Sequence, residues 1–157
     1  MFMSVNSYAQ KTKWNKLEKR SLEHFMDNYF NELTSGLDTV NVYSEVHADN
    51  GGKYKMASYD CVGWNESKNF DDAKLLGSTP KLKLRKNISR EIRFINDDIY
   101  SAEKGLFIFQ AMELWNSAWV LITYKPTLYE DHYYIYEYDK SGQLLRTCHT
   151  YEKEDMY

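Results

Sequence analysis

The spacing of apolar residues divides this chain into helical and strand stretches. From Lys13 to Ser35, Trp14, Leu17, Leu22, Phe25, Met26, Tyr29 and Leu33 recur at mostly three- to five-residue intervals, with Lys16, Lys19, Arg20, Glu23 and Asp27 between them. That is an amphipathic helix, and Gly36 is placed to end it. Val40, Val42, Val46 and Ala48 then alternate with Asn41, Tyr43, Glu45 and His47, the period-two mark of a half-buried strand. Asp49-Asn50-Gly51-Gly52 reads as a type I′ turn. A hairpin over Leu37 to Trp64 follows, with Val42 opposite Tyr59 and Val40 opposite Cys61.

Gly63 to Pro80 is polar and reads as a long loop. Lys81 to Lys86, KLKLRK, alternates as a short edge strand. Ser89 can cap a helix with an apolar stripe of Ile92, Ile95, Ile99 and Ala102. Leu106 to Leu114 fits either a strand or a helix. Trp119 to Lys125 is a strand that Pro126 should stop. The last pattern is the densest: DHYYIYEYDKSGQLLRTCHTY, from Asp131 to Tyr151, holds two strand-like runs around Asp139-Lys140-Ser141-Gly142. Closing that turn over four residues puts Tyr136 opposite Leu145, Tyr134 opposite Thr147 and His132 opposite His149. Tyr134, Tyr136 and Tyr138 share one face, and Tyr133, Ile135 and Glu137 the other; the pattern leaves open which face is buried. The order of elements predicts an α+β fold: an antiparallel sheet of about five to six strands with two or three helices packed on one face. The chain is expected to be a single domain over residues 1–157, with a loose arm at 1–12 and a charged tail at 152–157.

Composition sharpens this in one respect. Of 157 residues, 16% are aromatic, and fourteen of those are tyrosine, a side chain suited to half-wet sheet faces and recognition surfaces. The net charge is −3 but unevenly spread: Lys81 to Arg93 holds six basic residues and one acidic, whereas Tyr129 to Tyr157 holds seven acidic and three basic. Such segregation steers partners of opposite sign, and the acidic balance argues against nucleic acid as a ligand. Cys61 and Cys148 lack metal-ligand spacing and are expected to be reduced. With no apolar signal core near the N-terminus and no run of ~18 apolar residues, a soluble cytoplasmic protein without membrane contact is expected.

The chemistry-bearing residues are sparse. No phosphate loop or dinucleotide fingerprint is present, no cofactor is implied, and no catalytic residue is assigned. Cys148 and His149 are adjacent in a strand, so their side chains point to opposite faces. His132 facing His149 is the one pair with the donor atoms for a metal, but it lacks a third ligand, so no metal site is assigned. Glu113, Glu137 and Asp139 are the carboxylates whose convergence for acid–base work the spacing leaves open.

The opening helix leads into a strand and a Gly-bearing turn, NVYSEVHADNGGKYKMASYD. A later helix is followed by a Trp-containing strand and a hairpin with a D-x-x-G turn. This order resembles the EsaG/YezG-like immunity proteins, small acidic α+β proteins of bacterial antagonism systems. The resemblance implies a cognate protein toxin of the nuclease type, or another basic protein, as partner. It carries over no site residues. Charge and tyrosine density instead nominate Tyr129, Glu130, Asp131, Tyr134, Tyr136, Glu137, Tyr138 and Asp139 as the partner-binding surface. Two other readings stand beside it: a ligand-binding or enzymatic domain with a pocket lined by Trp64, Trp115 and Trp119, and a phage or mobile-element inhibitor of a host defence protein. Oligomeric state is not legible at this level.

Overall fold

A computed structural model describes residues 16–44, 46–47, 74–76, 90–95, 104–114 and 116–155. The first element is a continuous helical segment: α1 (Leu17–Phe25), a π-helical turn (Met26–Phe30) and a short α2 (Asn31–Leu33). The wider π turn lets Phe25 and Phe30, five positions apart, both be buried, with ring centroids 6.4 Å apart. The helix ends where Thr34 Oγ1 donates to the Phe30 carbonyl at 2.7 Å and Gly36 takes φ +81°.

Eight strands form one sheet: β1 (Thr39–Tyr43), β2 (Lys74–Leu75), β3 (Glu91–Ile95), β4 (Gly105–Ile108), β5 (Met112–Leu114), β6 (Ser117–Thr127), β7 (Glu130–Tyr138) and β8 (Leu144–Lys153). Its order is β3-β1-β4-β6-β7-β8, with β5 and then β2 continuing beside the first half of β6. The sheet is mostly antiparallel, but β1 pairs parallel with both β3 and β4.

Helix α1 covers one face. Leu17, Leu22, Phe25, Met26 and Phe30 pack on Val40, Val42, Leu106, Ile108, Val120, Ile122 and the row Tyr134, Tyr136, Tyr138. The opposite face is buried as well, around Tyr43, Phe107, Phe109, Met112, Trp119, Leu121, Tyr133 and Ile135. The almost unbroken apolar run of β6 follows from this, because a strand buried on both faces loses its alternation.

The architecture corrects several expectations. The sheet has eight strands rather than five or six, and only one helical segment lies among the described residues. Glu91–Ile95, expected to be helical, is strand β3. Ile92 packs with the helix-side core and Ile95 with the opposite core, a period of two made possible by parallel pairing along β1. Both sides of Val42 are taken, by Phe94 and Leu106, so it does not pair with Tyr59; residues 48–73, including the rest of the expected hairpin, lie outside the described residues. Lys74–Leu75, expected in a loop, forms β2 against β5. Pro126 lies within β6 rather than ending it, and the ladder with β7 shifts register between Tyr124 and Thr127, as a residue without an N–H requires. Leu106–Leu114 resolves into strands β4 and β5, and Glu152 and Lys153 of the expected tail belong to β8. KLKLRK lies outside the described residues.

Two sites set the helix-to-sheet and strand-to-strand distances. Gly105 has φ +152°, and a Cβ there would meet the Asn41 carbonyl oxygen at 2.7 Å. Gly105→Ala is therefore expected to force β4 from β1 and lower unfolding free energy by about 1–3 kcal/mol in denaturant titration. Glu18 is almost wholly buried; its Oε1 accepts from the Ala111 N–H at 3.0 Å, while Oε2 has no hydrogen-bond partner. Burial raises its pKa above the usual 4.5, and the Ala111 bond offsets this only in part. Folded protein thus holds this proton more tightly than unfolded, so the contribution of Glu18 to stability is greatest at low pH and falls as pH rises from 4.5 through the raised value. Glu18→Gln, always neutral, should lack that component; melting temperatures of the two proteins compared across pH 4–8 should diverge as pH rises, and parallel profiles would refute the assignment.

Candidate protein-binding face

Of the eight nominated residues, the fold brings together only part at the surface. Tyr134, Tyr136 and Tyr138 lie beneath α1 and are buried. The Tyr138 hydroxyl pairs with Ser21 Oγ at 2.7 Å, the Tyr136 hydroxyl with His24 Nδ1 at 3.3 Å, and the Tyr134 ring lies 4.6 Å from that of Tyr29. Arg20 lies over the Tyr138 ring and its guanidinium donates to the Gly142 carbonyl. Burial pushes the Tyr134 and Tyr136 phenols well above their ordinary range, so both remain neutral donors. These three belong to the helix–sheet interface and not to an open docking face.

Glu137 and Asp139 are also engaged internally. Glu137 accepts from Arg146 Nε at 2.5 Å and from Ser117 Oγ at 3.1 Å, while the Arg146 guanidinium lies 5.9 Å from the Trp119 ring centroid. Asp139 Oδ1 accepts from the Ser141 N–H, Ser141 Oγ and the Gln143 N–H. The Ser141 hydroxyl and the Gln143 amide hold this exposed carboxyl below the usual carboxylate range. Glu113 does not converge with them: it shares a face with Ala118 and Tyr138, whereas Glu137 shares the opposite face with Trp119.

Among the described residues, what stays open is one end of the sheet. Thr127 pairs with Glu130, leaving Leu128 and Tyr129 at the apex of the β6–β7 turn, 47% and 46% exposed. Glu154 donates its N–H to the Tyr129 carbonyl at 2.8 Å, so the end of β8 brings Glu152, Glu154 and Asp155 alongside Glu130 and Asp131. Asp131 is anchored there by Lys125 at 2.5 Å, and the Tyr133 hydroxyl lies 3.1 Å from Asp131 and 3.2 Å from Glu152. Tyr151, on the same strand end, is 59% exposed. Sequence reading missed Leu128 and Tyr151; the exposed dipeptide of a two-residue turn was the signal that could have found the first.

The histidines meet, though not as expected. The turn closes with Asp139 opposite Gln143, and the ladder then shifts register at Leu145, so Glu137 pairs with Arg146. The resulting register puts Tyr134 opposite His149 and His132 opposite Tyr151. A shift of two keeps every face assignment. His132 Nδ1 and His149 Nε2 lie 3.2 Å apart on the diagonal, His132 Nε2 bonds Glu130 at 2.7 Å, and His149 stacks on Tyr134 at 4.3 Å. Burial, then the neighbouring His132, depress the His149 pKa. The nitrogens that would have to face a metal face one another and Glu130; no set of three or more metal-ligating groups occurs among the described residues.

Trp119 is buried in the core, and Trp64 and Trp115 lie outside the described residues. A cleft of about 130 Å³ sits elsewhere, between Val40, Asn41, Lys104, Gly105 and Tyr124, below the ~300 Å³ where ligand pockets begin. Among the described residues no helix is long and apolar enough to cross a membrane. No family model, curated protein or solved structure matches the chain.

Cys148 is disulfide-bonded and no cysteine is free among the described residues, which corrects the expectation of two reduced thiols; Cys61 is the chain's other cysteine. Non-reducing peptide mapping should recover Cys61 and Cys148 in one linked peptide. Reduction should then lower stability by about 2–5 kcal/mol, because a long closed loop regains its entropy in the unfolded chain. A stability unchanged by reductant would remove the bond from the list of folding constraints.

Proposed function

We propose that this protein is a protein-binding domain that neutralises a basic partner, in the manner of an immunity protein facing a nuclease-type toxin. The carrying observation is the open end of the β6–β7–β8 meander, where Leu128, Tyr129 and Tyr151 stand exposed beside Glu130, Asp131, Glu152, Glu154 and Asp155. Exposed aromatic and apolar anchors give an interface its affinity. A surrounding acidic rim gives it attraction and register toward a basic cleft. The anchors sit on a tight turn and a paired strand end, so little ordering entropy is lost on docking.

The binding surface is thus narrower than the sequence implies: Tyr129, Glu130 and Asp131 remain, and Leu128, Tyr151, Glu152 and Glu154 join them. Asp131 serves mainly to hold Lys125 and Tyr133 in place. Inhibition needs no catalytic group on this chain, since covering a basic active site blocks its substrate.

Calorimetry with a basic nuclease domain encoded beside this gene tests the reading. Tyr129→Ala combined with Glu130→Lys and Glu154→Lys should weaken binding at least tenfold, about 1.4 kcal/mol, and the association rate of the native protein should fall with added salt. Unchanged affinity in a folded triple variant would sink the surface assignment.

A further inference from the structure

Strand β8 ends the sheet: among the described residues it pairs with β7 alone. Which of its backbone groups point outward follows from the ladder. The Glu154 N–H bonds the Tyr129 carbonyl, and the register of that pair continues through Glu152–Asp131, Thr150–Tyr133 and Cys148–Ile135. In an antiparallel pair, hydrogen-bonded and non-bonded positions alternate. Even-numbered residues of β8 therefore bond to β7, and Thr147, His149, Tyr151 and Lys153 turn their N–H and C=O groups away from it. Their side chains lie on the helix side of the sheet, where Thr147, His149 and Tyr151 are exposed. From Thr147 to Tyr151 this edge carries no carboxylate, lysine or arginine and no proline, the devices that normally blunt an edge.

We propose that β8 pairs antiparallel with β8 of a second copy of this chain, about a two-fold axis at His149, to make one continuous sheet across a homodimer. A second copy is the occupant the charges fit. In that register Arg146 of each chain, which also bonds Glu137 of its own chain, lies opposite Glu152 of the other, at the close Cα spacing of a non-hydrogen-bonded pair, on the face away from the helix. On the helix face Thr147 lies opposite Tyr151 twice by symmetry. The outward groups of Thr147, His149 and Tyr151 then exchange about six hydrogen bonds. The two-fold requirement that each pairing occur twice is met without a like-charged pair. His149 meets its own copy, and its depressed pKa keeps that central pair neutral near pH 7. The dimer goes beyond the toxin-binding reading and does not depend on it, since its mass is read without any toxin; Tyr151 and Glu152 belong to both surfaces, whereas Leu128, Tyr129 and Glu130 lie outside the β8 seam.

Sedimentation equilibrium of the full chain tests this. At about 50 µM the native protein should show twice the 18.7 kDa chain mass. Thr147→Pro removes an outward N–H that β7 does not use, and Glu152→Arg sets like charges against Arg146. Each should raise the dimer dissociation constant at least tenfold while circular dichroism shows a folded chain. If Thr147→Pro fails to fold, Glu152→Arg decides alone. A native protein that stays at the mass of one chain at this concentration overturns the proposal, as it would if the edge served a strand of a different protein. Two folded variants that dimerise as tightly as the native chain overturn it equally.

Discussion

The docking of α1 on the tyrosine row of β7 is the interaction on which the rest of this structure depends. Tyr134, Tyr136 and Tyr138 project from one strand at every second residue, while Ser21, His24 and Tyr29 descend from one side of the helix to meet them. Each phenol buries its ring in the core; the Tyr138 and Tyr136 hydroxyls meet Ser21 and His24, and the Tyr134 ring packs on Phe25 and Tyr29. Arg20 extends the same seam to the turn beyond β7 through the Gly142 carbonyl. Alternation does the remainder: with the even positions committed to the helix, Tyr133, Ile135 and Glu137 must enter the opposite face, where Trp119 and Arg146 receive them.

This arrangement determines where the molecule is free to meet others. A helix at one face and a second buried cluster at the other leave the sheet's ends and edges as its accessible backbone. The β6–β7 turn gathers carboxylates from β7 and β8 because those strands end together, and the Lys125–Asp131 pair holds that end rigid. Among the described residues the outer edge of β8 carries ladder positions that β7 does not use, with Arg146 toward one end and Glu152 toward the other, so the charges are complementary about a two-fold. On the two proposals above, one strand pair would serve an unlike partner at its end and a like one along its side.

Much of this was legible in the residues. The helix from Leu17, its stop at Gly36, the closing hairpin and the shared face of the three tyrosines all follow from local periodicity and turn chemistry, which act over a few residues. Where reading failed, the cause was a neighbour distant in sequence. Glu91–Ile95 has the spacing of a helix and becomes a strand because β1 offers it a parallel edge; Tyr134, Tyr136 and Tyr138 resemble a recognition surface until a helix more than a hundred residues earlier covers them. The histidine register missed by two because the turn closes one residue later, at Gln143, and the ladder shifts one more at Leu145.

Sequence by itself therefore determined the local elements, the alternation of faces and the acidic character of the last strands, since each depends on side chains within a turn or a strand of one another. Tertiary structure alone decided which face of the tyrosine hairpin is core, which carboxylates are spent inside the protein and which strands stand at the sheet's edges among the described residues. Those outcomes turn on what packs against what across the sheet, and burial is a property of the pair rather than of either sequence segment.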